Sequence, residues 1–135
     1  METKGTMIRG VVAIIPRDGT FLLIRRARHL PAGGGWCLPG GTIEPGETPD
    51  AAIVRECHEE VGLAVKAAQE LWITQTAQLH LRWWLVECGT NSEVTPCSAE
   101  VSDFRWLRID QLALVTPLLP GVETFFKKFA SVLAD

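Results

Sequence analysis

Apolar positions recur along this chain with two different periods. Residues 7–16, MIRGVVAIIP, form an apolar run rich in β-branched side chains and predict a strand. Thr20–Arg26, TFLLIRR, predicts a returning strand, with Leu22 and Ile24 on one face and Phe21, Leu23 and Arg25 on the other. Between them, Arg17-Asp18-Gly19 carries the chemistry of a two-residue hairpin turn. Trp36–Leu38 reads as a short strand stopped by Pro39, and the stretch 64–76 as containing a strand near Leu71–Thr74. Residues 78–87, QLHLRWWLVE, alternate Leu79, Leu81, Trp83 and Leu85 with His80, Arg82, Trp84 and Val86. Both sets carry bulk, so this strand is predicted to be central and covered on both sides. Asp103–Leu107 predicts a further strand and Asp110–Leu114 a short helix.

The helical period appears twice. Ile53, Val54, Cys57 and Val61 form one apolar stripe, preceded by Thr48 as cap and Pro49 at the first turn, and followed by Gly62. Ala51 stands where a reciprocating Glu would complete the capping box. The second stripe is Val122, Phe125, Phe126, Phe129 and Val132, within a helix from Gly121 to Ala134 that turns Lys127 and Lys128 outward. Residues 28–35, RHLPAGGG, and Gly89–Ser98 are loops. Strands interrupted by one internal and one terminal helix predict an α/β fold: a mixed β-sheet with helices on both faces.

Composition narrows the function classes. A chain of 135 residues predicts one domain, 1–135. A net charge of −3 gives no bulk electrostatic reason to bind duplex nucleic acid. No apolar run approaches the roughly 18 residues of a membrane span. METKGTM lacks the apolar core of a signal peptide. The four cysteines are spread singly, as reduced thiols of a cytoplasmic protein would be.

The candidate chemistry is concentrated in residues 39–63, PGGTIEPGETPDAAIVRECHEEVGL. Glu56, Glu59 and Glu60 fall at i, i+3 and i+4, on one side of the internal helix. Glu56 and Glu60 form a like-charge i,i+4 pair, which destabilises a helix unless water or a cation neutralises it. Mg²⁺ is a hard, oxygen-seeking cation, and a helix with carboxylates at this spacing presents ligands for it from a rigid element.

From Gly41 the chain runs five residues to Glu47, seven more to Arg55-Glu56, then Cys57, His58, Glu59-Glu60, Val61, Gly62 and Leu63. This resembles the signature of the Nudix hydrolase family, G-x5-E-x7-R-E-U-x-E-E-x-G-U, where U is a bulky apolar residue. Leu38-Pro39-Gly40-Gly41 and Leu23-Ile24-Arg25-Arg26 also look like that family, in its MutT-type branch. The resemblance implies a Nudix-type α/β/α sandwich. It implies an enzyme that uses Mg²⁺ or Mn²⁺ and water to cleave a diphosphate linkage in a nucleoside-diphosphate-type substrate, such as a nucleoside triphosphate. Glu56 and Glu60 then ligate metal, and Glu59 is a ligand, the base that activates water, or both. The Gly41 carbonyl is a further ligand, and Arg55 and Glu47 pair to hold the loop against the helix. A late carboxylate completes the site: Glu100, with Glu93 and Asp103 as fallbacks. Arg26 contacts substrate phosphate beside Gly40. Many members of that family pair into homodimers, so the resemblance leaves a homodimer open, with no strand or patch of this chain nominated for it.

Bland readings stand beside these. Glu-rich helix faces are usually solvated surface. Trp83 or Trp84 can stack on a nucleobase, but at least one of the pair belongs to the core, as do the terminal phenylalanines. His58 reads as surface and Trp36 as packing. The segment Val115–Glu123 offers no Asn and Thr42 stands where the MutT-type branch often has Lys, which weighs against an oxidised-guanine specialist. The absence of Tyr weighs against an ADP-ribose or dinucleoside-polyphosphate substrate in the branches that a downstream Pro or Tyr marks, and an ADP-ribose or nucleotide-sugar pyrophosphatase stands as the alternative enzyme. Two further readings use the same scaffold: a nucleotide-sensing or protein-binding module without turnover, and a diphosphate-linked isomerase, for which Cys37 is the thiol nearest the loop.

Overall fold

The computed structural model describes residues 7–133. The polar N-terminal stretch and Ala134, the expected end of the last helix, fall outside that range apart from Met7. The chain runs β1 (Ile8–Ile14), β2 (Pro16–Arg17), β3 (Thr20–Arg26), β4 (Trp36–Cys37), β5 (Gly40–Thr42), α1 (Pro49–Val61), β6 (Val65–Gln75), β7 (Leu79–Cys88), β8 (Val101–Leu107), a 3-10 turn (Ile109–Leu114) and α2 (Val122–Leu133).

Alternation along the strands builds two cores on opposite faces. Val11, Ala13, Ile15, Leu22, Ile24 and Val86 pack with Ala52, Ile53, Cys57 and Val61 of α1. Their neighbours Ile14, Phe21, Leu23 and Trp83 pack with Val122, Phe125 and Phe126 of α2. One sheet has the order β5-β1-β7-β6, with β1 and β7 parallel and the flanking pairs antiparallel. The other is antiparallel: β3 pairs with β2, β4 and β8. The fold is therefore a mixed α/β sandwich with a helix on each face, and β7 is an interior strand covered on both sides, as its double alternation predicts.

Three expectations are corrected. The hairpin is confined to its tip. Asp18 and Gly19 make the turn with φ of 51° and 78°, but only β2 pairs back on β3; β1 leaves to join β7. Second, β6 begins at Val65, well before Leu71, and two bulges interrupt its pairing with β7. Third, both helical stripes are narrower than their sequence pattern. Val54 is 37% exposed and Val132 58% exposed. In α1 the buried set is Ala52, Ile53, Cys57, Glu60 and Val61, so the inward face is rotated away from Val54 and toward the 52–56–60 row.

The ends of α1 follow its sequence. Thr48 Oγ1 accepts from the Ala51 amide at 3.4 Å, and Gly62 adopts φ 69° while its amide donates to the His58 carbonyl. An L side chain at that φ is strained, so glycine suits the stop.

Candidate functional site

Two glycines bring the carboxylate row of α1 against the sheet. Gly40 and Gly41 lie in β5, a strand that the sequence reading did not anticipate. A Cβ at Gly40 would overlap the Val11 carbonyl, and one at Gly41 would overlap the Glu56 carboxylate. The bare backbone of Gly41 therefore makes room for Glu56, and that of Gly40 lets β5 close against β1. The Gly40 amide donates to Glu60 Oε1 at 2.9 Å.

Glu60 is the one buried charged residue named among the described residues, at 7% exposure. Burial pushes its carboxyl up to about 7; Glu56 and Glu100 push the same way, and the Gly40 bond and Arg26 pull it back. Burial also raises the Glu56 carboxyl, opposed by Arg55 and reinforced by Glu59 and Glu100. Crowding read from the spacing is thus a physical fact of the site: two carboxylates sit where a proton or a cation is favoured.

Arg55 organises the outer side. Its Nε donates to Glu47 Oε2 at 2.7 Å and its Nη2 to Glu47 Oε1 at 2.9 Å, a bidentate fork. Nη2 also donates to the Thr42 carbonyl at 2.9 Å, and Nη1 to Glu59 Oε1 at 2.8 Å and Glu56 Oε2 at 3.2 Å. One guanidinium thereby ties the loop between β5 and α1 to the carboxylate row of the helix. The Arg55 hydrogen bonds, with that of the Glu44 amide, pull the Glu47 carboxyl down to about 2.

Glu100 reaches the site through its loop. The Thr95 amide donates to the Val61 carbonyl and the Cys97 amide to the Glu60 carbonyl, which pins the loop to the end of α1. Glu100 is close enough to raise the carboxyls of both Glu56 and Glu60. Of the fallbacks, Asp103 pairs across from Arg25, whose neighbour Ile24 packs on the α1 face, and Asp103 Oδ1 accepts from the Phe104 amide at 2.8 Å. It therefore faces away from the carboxylates. Glu93 sits exposed in the preceding loop.

A cavity of about 330 Å³ adjoins this row. Its polar wall is Glu60, Arg26, Cys37, Gly40, Gly41 and Thr42. Arg26 Nε is steered by the Pro31 carbonyl at 2.8 Å. Burial first, then Glu60, pushes the Cys37 thiol up to about 12, against the pull of Arg26. A thiol so held is no nucleophile at neutral pH, which removes the support that the isomerase reading drew from Cys37.

Trp83 is corrected as a stacking platform. It lines the cavity but is 3% exposed, stacks on Phe125 with ring centroids 5.2 Å apart, and donates from Nε1 to Thr74 Oγ1 at 3.0 Å. No face is free for a base. The lining residues that the sequence reading missed are Ile8, Leu79, Leu81 and Leu119. Alternation put Leu79, Leu81 and Trp83 on one face, but nothing local says that Leu119 comes to meet them.

Among the described residues no three His, Cys, Asp or Glu side chains converge in a ready-made cage. The reason is visible: Arg55 draws Glu59 and Glu56 outward, and Gly40 holds Glu60. The donor set still fits a hard divalent cation, since Glu56, Glu60, Glu100 and the Gly41 carbonyl offer only oxygen.

The NUDIX domain family model matches residues 7–129. The chain belongs to the NUDIX domain family. It is 31% identical over 106 residues to a MutT-like protein of Streptomyces ambofaciens, covering 78% of this chain and 65% of that one. It is 37% identical over 84 residues to the CTP pyrophosphohydrolase of Escherichia coli, covering 59% of this chain and 62% of the relative. The matches thus span somewhat less than two thirds of both relatives. The fold is shared with the MutT protein of Methanosarcina mazei, with a TM-score of 0.81 at 22% identity over 99% of this chain and all of that one.

Proposed function

We propose that this NUDIX-family chain hydrolyses a diphosphate (pyrophosphate) linkage in a nucleoside-diphosphate-type substrate, a small nucleotide such as a nucleoside triphosphate, with Mg²⁺ or Mn²⁺ as cofactor. The observation that carries this reading is the buried Glu60 carboxylate, held by the Gly40 amide in a cavity wall that also contains Arg26, with Glu56 and Glu100 close enough to perturb it. The E. coli relative's name, CTP pyrophosphohydrolase, supports the reaction type.

In this reading Glu56, Glu60, Glu100 and the Gly41 carbonyl hold the metal. A bound divalent cation supplies positive charge against the diphosphate and acidifies water. Arg26 contacts a substrate phosphate from the polar wall. Glu59, half-exposed with its side chain at 51%, accepts the proton of the attacking water once Arg55 releases it. Arg55 and Glu47 keep the end of β5, with Gly41 and Thr42, in register with the helix. A sensing module without turnover is the weaker reading, because all three helix glutamates are present, Glu56 and Glu59 bound to Arg55 and Glu60 to the Gly40 amide.

The test is a panel of nucleoside triphosphates, nucleotide sugars and dinucleotides, incubated with Mg²⁺ or with chelator, with products identified. Glu60→Gln keeps an acceptor for the Gly40 amide, so it should fold normally and lose activity by about a hundredfold or more. Metal-independent turnover, or unchanged turnover in Glu60→Gln, would refute the assignment.

A further inference from the structure

The cavity has two unlike halves, and the second has chemistry of its own. Besides the polar wall its lining includes Ile8, Val12, Leu79, Leu81, Leu119 and Val122, with Val12 paired across from Gly40 and Leu81 one strand beyond Thr42 by way of Gly10. None of these apolar side chains can donate or accept a hydrogen bond. The backbone there is committed as well. The Ile8 amide donates to the Gln78 carbonyl at 2.8 Å, the Leu79 amide to Thr76 Oγ1 at 3.1 Å, and the Leu119 amide to the Trp36 carbonyl at 2.8 Å. The Leu119 carbonyl accepts from the Val122 amide at 3.4 Å, and Pro120 has no amide to offer. Strand β1 lies between β5 and β7, so its polar groups face the ladders. Trp83 lends neither a π-face nor its Nε1.

Leu119 is fixed in this wall. The Trp36 amide donates to the Pro117 carbonyl at 2.8 Å, so two hydrogen bonds bracket the segment. A Cβ at Gly35 would overlap the Leu119 side chain, so the bare backbone of Gly35 gives that side chain its seat.

We propose that, given diphosphate hydrolysis at the polar half, this site selects its nucleotide by apolar contact and shape rather than by reading base hydrogen bonds. Leu81 and Leu119 are the specificity-determining side chains, and the class favoured is nucleotides whose base turns an alkyl substituent to the wall and its polar edge to solvent. A pocket built to hydrogen-bond a polar edge rejects the analogue lacking it by roughly 10⁴-fold, whereas apolar walls separate substrates differing by one methyl by far less. The selectivity pattern therefore reveals which kind of pocket this is.

The experiment compares kcat/KM for dTTP, dUTP and dCTP with Mg²⁺. Thymine and uracil differ by one methyl; uracil and cytosine share a shape and differ in polar pattern. The expected result is dTTP above dUTP by roughly four- to tenfold, with dUTP and dCTP within about tenfold of each other. In Leu119→Asn, and independently in Leu81→Gln, the dTTP/dUTP ratio should fall to about one. A ratio within one preparation cancels any loss of folded protein, so a poorly folding variant still reports. The proposal is overturned by a wild-type methyl ratio of one or below. It is equally overturned by a separation of dUTP from dCTP of about a thousandfold or more, or by a ratio that neither variant changes. If no nucleotide is turned over with Mg²⁺, the diphosphatase reading itself fails and this proposal fails with it.

Discussion

Arg55 is the residue whose removal should break the most contacts of the site at once. Its five N–H groups meet Glu47 twice, the Thr42 carbonyl, Glu59 and Glu56. In Arg55→Ala every one of these acceptors loses the guanidinium, and among the described residues only Glu47 Oε1 keeps another partner, the Glu44 amide. Glu59 returns to solvent at little cost, since its side chain is half-exposed. Glu56 does not, because its side chain is 14% exposed and remains beside Glu60. Hydrogen bonds to charged groups contribute about 1.5–3 kcal/mol each when shielded, and exposed ion pairs much less. With the Arg55 side chain one-quarter exposed, a net loss of about 2–3 kcal/mol is expected, or about 5–10 °C in melting temperature for a domain of this size. Activity should fall further than stability, by about a hundredfold, because the end of β5 carrying Gly41 loses its register with α1. Arg55→Lys separates charge from geometry: it restores a cation but not the planar fork, and should recover less than half of the lost stability and little of the rate. Urea denaturation and steady-state kinetics on the three proteins decide the matter. If Arg55→Lys matches wild type in both, the fork has no positioning role and the reasoning fails.

Three further outcomes follow from the same geometry. Without metal, stability should fall as pH rises from 4.5 to about 7, because the native Glu60 carboxyl binds its proton more tightly than the unfolded one; the shift corresponds to about 3 kcal/mol. Below pH 4.5 the slope reverses, as Glu47, pulled down to about 2 in the fold, loses its stabilising charge. Urea midpoints in chelator across pH 3–8 read both limbs, Glu60→Gln should flatten the upper one, and a flat wild-type profile counts against the buried carboxylate. Gly41→Ala forces a Cβ into the Glu56 carboxylate; it should lower Mg²⁺ affinity by roughly 10–100-fold in titration calorimetry, and unchanged affinity would refute the cradle. Trp83→Phe leaves the Thr74 hydroxyl unpartnered and a gap beside Phe125; about 1–3 kcal/mol should be lost, checked by thermal unfolding, with no loss meaning that Trp83 is not a core residue.

What the sequence made legible was whatever is local. The α1 caps and the i, i+3, i+4 glutamates lie within one short stretch, so spacing places them, whereas the Glu47–Arg55 pairing was an expectation carried by the resemblance to the Nudix signature. The double alternation of β7 anticipated two cores because a pleated strand has only two faces. Where reading failed, the deciding contact was distant. The stretch Lys66–Glu70, KAAQE, is helix-forming by propensity, and only pairing with β7 holds it in β6. The Asp18-Gly19 turn specified its own geometry but not that β1 would leave its hairpin partner for β7. Trp83 looked available because an alternating strand does not say which face a neighbouring helix covers; Phe125 of α2 settles it.

The deepest gap concerned Glu60. On the helix wheel the three glutamates look equivalent along the border of the apolar stripe. Their difference comes from β5, whose two side-chain-free residues allow the sheet edge to approach the 52–56–60 row. Arg55 then compensates Glu56 and Glu59 but does not reach Glu60, whose hydrogen-bond partner is a neutral amide. A single amide offsets only part of the burial of a carboxylate, so Glu60 retains a proton toward neutral pH. A divalent cation at this row must displace that proton, and binding should tighten as pH rises through 7 even though the metal-free fold weakens over the same interval. Opposite slopes for metal affinity and for metal-free stability are what distinguish a functional buried carboxylate from one that merely tolerates its position.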